Sequence, residues 1–262
     1  MSATGDHFGA LLDDLGDETA ALQALLSQLV PDQWSLATPA EGWTVHDQVT
    51  HLMYFDETAA VAVSDPGRFR THAAEMLRRG PGFPDQIASE LRSLADATAL
   101  DRFARARAEL LSAYRNDDPR RRIPWYGPPM SVMSAATARL METWAHGVDV
   151  ADAVGAPVVP SRRLRHIAHL GVATRRFSFA VRGDEAPEEE PRVELEAEGE
   201  TWSYGPPDAS GRLVGPALDF CLVVTQRRPV AQTGLQVTGA AVEAWMAVAQ
   251  AFAGRPTTVR AR

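Results

Sequence analysis

The sequence predicts a mainly α protein: a four-helix bundle over residues 1–155, followed by a small α+β domain over residues 156–262. Three observations carry this reading. Apolar residues recur at helical spacing through the long segments before residue 156. Strict apolar–polar alternation appears only after it, in RVELEAE. Long Pro- and Gly-bearing connections separate the helical segments. With 262 residues, 45% of them hydrophobic and 23% charged, the chain can bury one large core or two small ones.

The first helix is read over Asp6 to Val30, from Phe8, Leu11, Leu12, Leu15, Leu22, Leu25, Leu26 and Leu29, and Pro31 ends it. Thr44 then stands as an N-cap with Asp47 three residues on, a variant of the capping box. The second helix follows over about Val45 to Ser64, and Asp65-Pro66-Gly67 stops it. The stretch from His72 to Pro84 reads as irregular. A third helical stretch spans about Asp85 to Tyr114, with a break near Thr98. A long connection with four prolines, NDDPRRRIPWYGPPMS, leads to the last bundle helix, which starts near Ser131 or Ser134 and ends at Gly155. Long crossovers between four such helices suggest a bundle.

Beyond Gly155, Arg162 to Val181 reads as one amphipathic helix. RVELEAE reads as a half-buried antiparallel strand with TWSYG as its hairpin partner. PALDFCLVVTQRR and GAAVEAWMAVAQAF read as two further helices.

The formal charge of −8 argues against a general binder of nucleic acid or of anionic membranes. No run of about 18 apolar residues is present, and the N-terminus has acids where a signal peptide needs a basic region. A cytoplasmic protein is expected. The one cysteine, Cys221, between Phe220 and Leu222, reads as a buried filler sooner than as a reactive thiol. There is no Gly-x-Ser-x-Gly elbow, phosphate loop or Rossmann fingerprint.

Chemistry concentrates on the last bundle helix. Met133, Leu140, Met141, Trp144, Val148 and Ala151 form its ordinary core side. The other side holds Ala135, Ala138, Glu142, His146, Asp149 and Ala153, with few polar groups framed by alanines. Glu142 and His146 stand about 40° apart and about 6 Å along the axis, so both can reach one point. That is either an exposed acid–imidazole pair or two ligands offered to a metal from one rigid element. A third ligand has to come from another helix, and His51 is the best candidate. It borders a second apolar stripe with Phe55 and Ala62, where a hydrogen-bonded boundary histidine is the alternative. His46 and Asp56 lie too far round the helix from His51 to share a metal with it. Asp56 is left a supporting or capping role.

His166 and His169 share a face but have no acid beside them, and His7 and His72 read as solvated. Arg227-Arg228 follows a buried segment and is either a fork for a carboxylate or a surface pair. PWYGPPMS is either a pocket wall or a stiff crossover.

GWTVHDQVTHLMYFDETA together with METWAHGVDVADAVG resembles the DinB-like superfamily, and within it the mycothiol-dependent maleylpyruvate isomerase N-terminal domain family. GPALDFCLVVTQRR and VTGAAVEAWMAVAQAF look like that family's sterol-carrier-like second domain. The resemblance covers nearly the whole chain, although the IPWYGPPMS connection departs from the isomerase pattern. It implies metal ligands at His51, Glu142 and His146, and a substrate-serving arginine at Arg227 or Arg228. It also implies mycothiol as a thiol cofactor. The expected function is Lewis-acid catalysis on a divalent metal, zinc foremost. The reaction would be isomerisation or thiol transfer on a small organic substrate, with Asp149 orienting a ligand or shuttling a proton. The alternative is a metal-containing binding protein without turnover. A small molecule is the expected partner, with no nucleic acid and no membrane, and a homodimer is left open.

Overall fold

A computed structural model describes residues 3–254. It is mainly helical and divides into two compact units, residues 1–157 and 158–262.

Four long helices build the first unit: α1 (Ala3–Leu26), α2 (Val45–Ser64), α5 (Asp96–Arg115) and α6 (Val132–Val154). They pack cyclically, α1 on α6, α6 on α2, α2 on α5 and α5 on α1. Two shorter helices, α3 (Pro66–Arg78) and α4 (Phe83–Leu91), form the crossover between α2 and α5. The leucines read as the apolar stripe of α1 are buried at Leu11, Leu12, Leu15, Leu22 and Leu26. Leu22 and Leu26 join Val45, Val49, Leu52, Met53, Phe103 and Val150 in one core.

Several boundaries differ from those expected. The first helix stops at Leu26, and Pro31 opens a 3₁₀ turn over Pro31–Ser35. The Asp65-Pro66-Gly67 sequence ends α2 but also starts α3. The Asp65 carboxylate accepts from the Arg68 N–H at 3.0 Å, and Pro66 occupies the first turn, where its missing N–H costs nothing. The stretch expected to be irregular is therefore helical up to Arg78. The break in the next helical stretch falls at residues 92–95, ahead of Thr98. Thr44 caps α2 as expected: its hydroxyl accepts from Asp47 N–H at 3.3 Å, and Asp47 Oδ2 accepts from Thr44 N–H at 2.8 Å. Arg92 clasps the same carboxylate and the Gly42 carbonyl, fixing the loop that leads into α2. The long proline-bearing connection contains a two-residue ribbon, β1 (Arg122–Ile123) against β2 (Met130–Ser131).

In the second unit, the helix expected over 162–181 is two, α7 (Leu164–Ala173) and α8 (Arg175–Ala180), parted at Thr174. The sheet has the order β4-β3-β5-β6. The hairpin of β3 (Arg192–Ala197) and β4 (Glu200–Tyr204) turns on Glu198 and Gly199, both at positive φ. Two strands were not expected, β5 (Arg212–Pro216), parallel to β3, and β6 (Gln236–Thr238). α9 (Ala217–Val224) and α10 (Ala240–Val248) match the two apolar segments. α9 crosses α7 closely because Gly171 has no side chain; a Cβ there would lie 2.9 Å from Val224. No helix among the described residues is long and apolar enough to cross a membrane.

Candidate metal centre

α6 is set by its caps. Ser131 accepts from the Ser134 N–H at 3.0 Å, and Gly155 ends the helix in the left-handed conformation at φ 72°. Ala135, Ala136, Ala145 and Ala151 are buried, and α6 packs against α1 and α2. Glu142 and His146 project from this helix toward His51 on α2. His146 Nε2 lies 3.1 Å from Glu142 Oε2, and His51 Nε2 lies 3.9 Å from the same oxygen. The two imidazole centroids are 4.4 Å apart. Ligand atoms of all three residues fall within 4.8 Å of one another, the only such group of three among the described residues.

The surroundings are aromatic. Trp43 stacks on His146 with centroids 5.9 Å apart and approaches His51 at 5.1 Å; its Nε1 donates to Asp85 at 2.8 Å. Phe55 packs on the other side of His51 at 4.5 Å, with Phe83, Trp125 and Tyr126 behind it. The IPWYGPPMS connection thus supplies two rings to the wall behind a histidine of the cluster. Further along α2, Tyr54 Oη and His72 Nε2 meet at 2.7 Å, beside a cavity of about 250 Å³ that both residues line. His72 is therefore half-buried on α3, not solvated in a loop, because α3 extends through it.

Burial, aided by the neighbouring His146, drives the His51 imidazole down to about 4. Burial alone would raise the Glu142 carboxyl, but the His146 and His51 rings outweigh it and hold the group well below the usual carboxylate range. Near neutral pH His51 is neutral and Glu142 ionised, the forms in which both bind metal.

His51 also gives a test of fit. Its Nδ1 is buried with no hydrogen-bond partner. If Nδ1 carries the proton, the Nε2 lone pair faces a carboxylate. If Nε2 carries it, 3.9 Å is too long for a hydrogen bond. In either tautomer Nε2 makes no hydrogen bond, a lack that a cation between Nε2 and Glu142 would relieve. Four-coordinate bonds of about 2.1 Å put ligand atoms about 3.4 Å apart, between the 3.1 and 3.9 Å of the two histidine–glutamate pairs and inside the 4.8 Å that spans all three residues. Two imidazoles and one carboxylate fit a divalent ion.

Of the other expected site residues, Asp149 is fully buried on α6 and stands outside the cluster of three. Arg227 and Arg228 belong to the second unit. Arg227 donates to the Thr225 carbonyl at 2.7 Å, and Arg228 lines a cavity of about 330 Å³ with Val223, Val230, Val237 and Met246. His46 is engaged elsewhere, with Asp96 at 2.7 Å. His166 and His169 join no cluster of three among the described residues. Cys221 is buried, and burial pushes its thiol far up.

The sequence reading did not single out three residues beside the cluster. Gln48 Oε1 contacts His146 Nδ1. Trp43 roofs both imidazoles. Arg139 reaches Asp56 from one turn before Glu142. The usable signal was position: Gln48 lies three residues before His51 and Arg139 three before Glu142, each on its neighbour's side of the helix.

Residues 15–151 match the model of the mycothiol maleylpyruvate isomerase N-terminal domain family. The chain belongs to this family. Among curated proteins it is similar to two uncharacterized proteins of Mycobacterium tuberculosis, from strains CDC 1551 and H37Rv. Each is 43% identical over 249 residues, covering 95% of this chain and 97% of the relative. Among solved structures it is similar to the mycothiol-dependent maleylpyruvate isomerase, with a TM-score of 0.59 at 15% identity. A histidine-to-alanine mutant of that enzyme gives 0.60 at 14%. Both comparisons cover 90% of this chain and 93% of the other, and at that identity they establish a shared fold. The maleylpyruvate isomerase family match runs from the second half of α1 into α6 and holds His51, Glu142 and His146.

Proposed function

We propose that this member of the maleylpyruvate isomerase family is a divalent-metal-dependent enzyme that isomerises, or transfers a thiol to, a small organic substrate. The observation that carries the reading is the convergence of His51, Glu142 and His146, with His51 Nε2 facing the Glu142 carboxylate beyond hydrogen-bond distance. These three side chains would hold the ion, zinc foremost, leaving coordination positions open. When bound, the ion supplies Lewis acidity toward a thiol, a water or a carbonyl.

The remaining work falls to the chain. Trp43 and Phe55 flank the imidazoles and keep water from them, which strengthens every charge interaction at the cluster. Glu142 enters ionised and His51 neutral, so neither needs to lose a proton at neutral pH. Asp149, next along α6, is proposed to orient a ligand or hold a proton. Arg227 or Arg228 is proposed to take a substrate carboxylate as a guanidinium fork. Mycothiol is the proposed thiol, by family membership. The cytoplasm is the proposed compartment, in keeping with a chain whose one cysteine cannot form an internal disulfide.

A second reading, a binding protein without turnover, draws on the cavity of about 330 Å³ in the second unit, apolar apart from Arg228 and Glu243. Turnover separates the two. Zinc-loaded protein is expected to convert activated alkenes such as maleylpyruvate only when mycothiol is present, with activity lost in His51→Ala. Saturable binding with no conversion, with or without thiol, would favour the second reading.

A further inference from the structure

Gln48 is fully buried on α2, and its amide lies between two polar groups. One is the Thr38 hydroxyl. That hydroxyl donates its only hydrogen to the Trp43 carbonyl at 3.0 Å, so toward Gln48 it presents lone pairs. It accordingly accepts from Gln48 Nε2 at 2.8 Å. The amide is thereby oriented, with its oxygen turned to His146 Nδ1. A carbonyl oxygen can only accept, so Nδ1 carries a ring proton, and Nε2, 3.1 Å from Glu142 Oε2, is the nitrogen left to meet a cation. His51 has no counterpart, since its Nδ1 meets no partner.

We infer that Gln48 is a positioning residue that locks His146 in its Nδ1–H tautomer, and that the Trp43–Thr38–Gln48 chain orients this lock. The role in metal binding rests on the proposed metal centre; the tautomer itself does not. The chain also ties the loop carrying Trp43, the ring stacked on His146, to the ligand beneath it. The protein therefore prepares one imidazole for a cation and leaves the other to be oriented by the cation and by ring packing.

The test uses the full chain and two readouts: zinc affinity by chelator competition, and ¹⁵N–¹H correlation of the His146 ring with and without zinc. Gln48→Leu is expected to weaken zinc binding about 10- to 100-fold, as losses of outer hydrogen bonds to ligands do, while Gln48→Glu stays within about threefold of wild type or binds tighter. In metal-free wild type His146 is expected as the Nδ1–H form, retained in Gln48→Glu and lost in Gln48→Leu. Glutamate can only accept, so an Nε2–H wild type that turns to Nδ1–H in Gln48→Glu would mean that the wild-type amide donates, overturning the inference. An unchanged His146 tautomer in folded Gln48→Leu would overturn it too. Wild type that fails to bind zinc would defeat the metal centre, and the metal-free tautomer would still decide the role of Gln48.

Discussion

Asp56 and Arg139 meet across the bundle core at 2.9 Å, Asp56 five residues after His51 and Arg139 three before Glu142. The pair therefore pins the two helices that carry the cluster. Arg107 of α5 binds the same carboxylate, at 2.7 and 3.1 Å, and donates also to Thr143 and Thr19. Asp56 is fully buried and both arginines nearly so. One carboxylate thus serves two buried guanidinium groups, and its loss would strand both.

Asp56→Ala is expected to destabilise the protein by about 3–5 kcal/mol, the range for breaking a buried ion pair from one side. Arg139→Met, which leaves the Asp56–Arg107 pair intact, is expected to cost less. Urea midpoints of the two variants check this. Equal midpoints would show that losing Asp56 strands no second guanidinium.

Sequence pattern offered the three-residue cluster as one of two readings, because two members share one helix at a spacing of four, framed by alanines, and the third borders an apolar stripe; the family resemblance chose it. It did not find the Asp56 network. Arg107 and Arg139 lie 51 and 83 residues from their partner, and helical periodicity carries no information on which charges meet inside. α3 was hidden for another reason. Asp65-Pro66-Gly67 serves both as a stop and as an N-cap with proline in the first turn, and the sequence signal for the two is the same. In the second unit, β3 and β4 announce themselves by alternation, whereas β5 carries Gly215 and Pro216 and β6 has three residues, too short for a pattern.

Trp43 should report on the centre. Its indole stacks on His146 and is held by Asp85, so a cation bound at the cluster changes the field around it. Intrinsic fluorescence of wild type is expected to respond to added zinc, and Trp43→Phe to abolish most of that response, although five other tryptophans remain. A full response in Trp43→Phe would place the zinc elsewhere.

Stability of the metal-free protein should fall with acid in a defined window. The His51 ring titrates at about 4 in the fold against 6.5 unfolded. Between these values the unfolded chain takes up a proton that the native state refuses, so stability declines as pH drops from 6.5 to 4 and levels off below. This window is worth about 3 kcal/mol. Glu142, whose pKa is depressed in the fold, adds a loss of the same sign once pH falls below its unfolded value of 4.5. Urea midpoints at pH 7 and pH 5 are expected to differ in wild type and to converge in His51→Gln. An equal difference in both would show that His51 is not held neutral by burial.

The most direct test of the account is elemental analysis of protein loaded with zinc, desalted and compared with its ligand variants. Wild type is expected to retain about one ion per chain, and folded His51→Ala, Glu142→Ala and His146→Ala to retain far less, because each removes one of three protein donors. Equal metal content in wild type and all three variants would contradict a metal centre at this cluster.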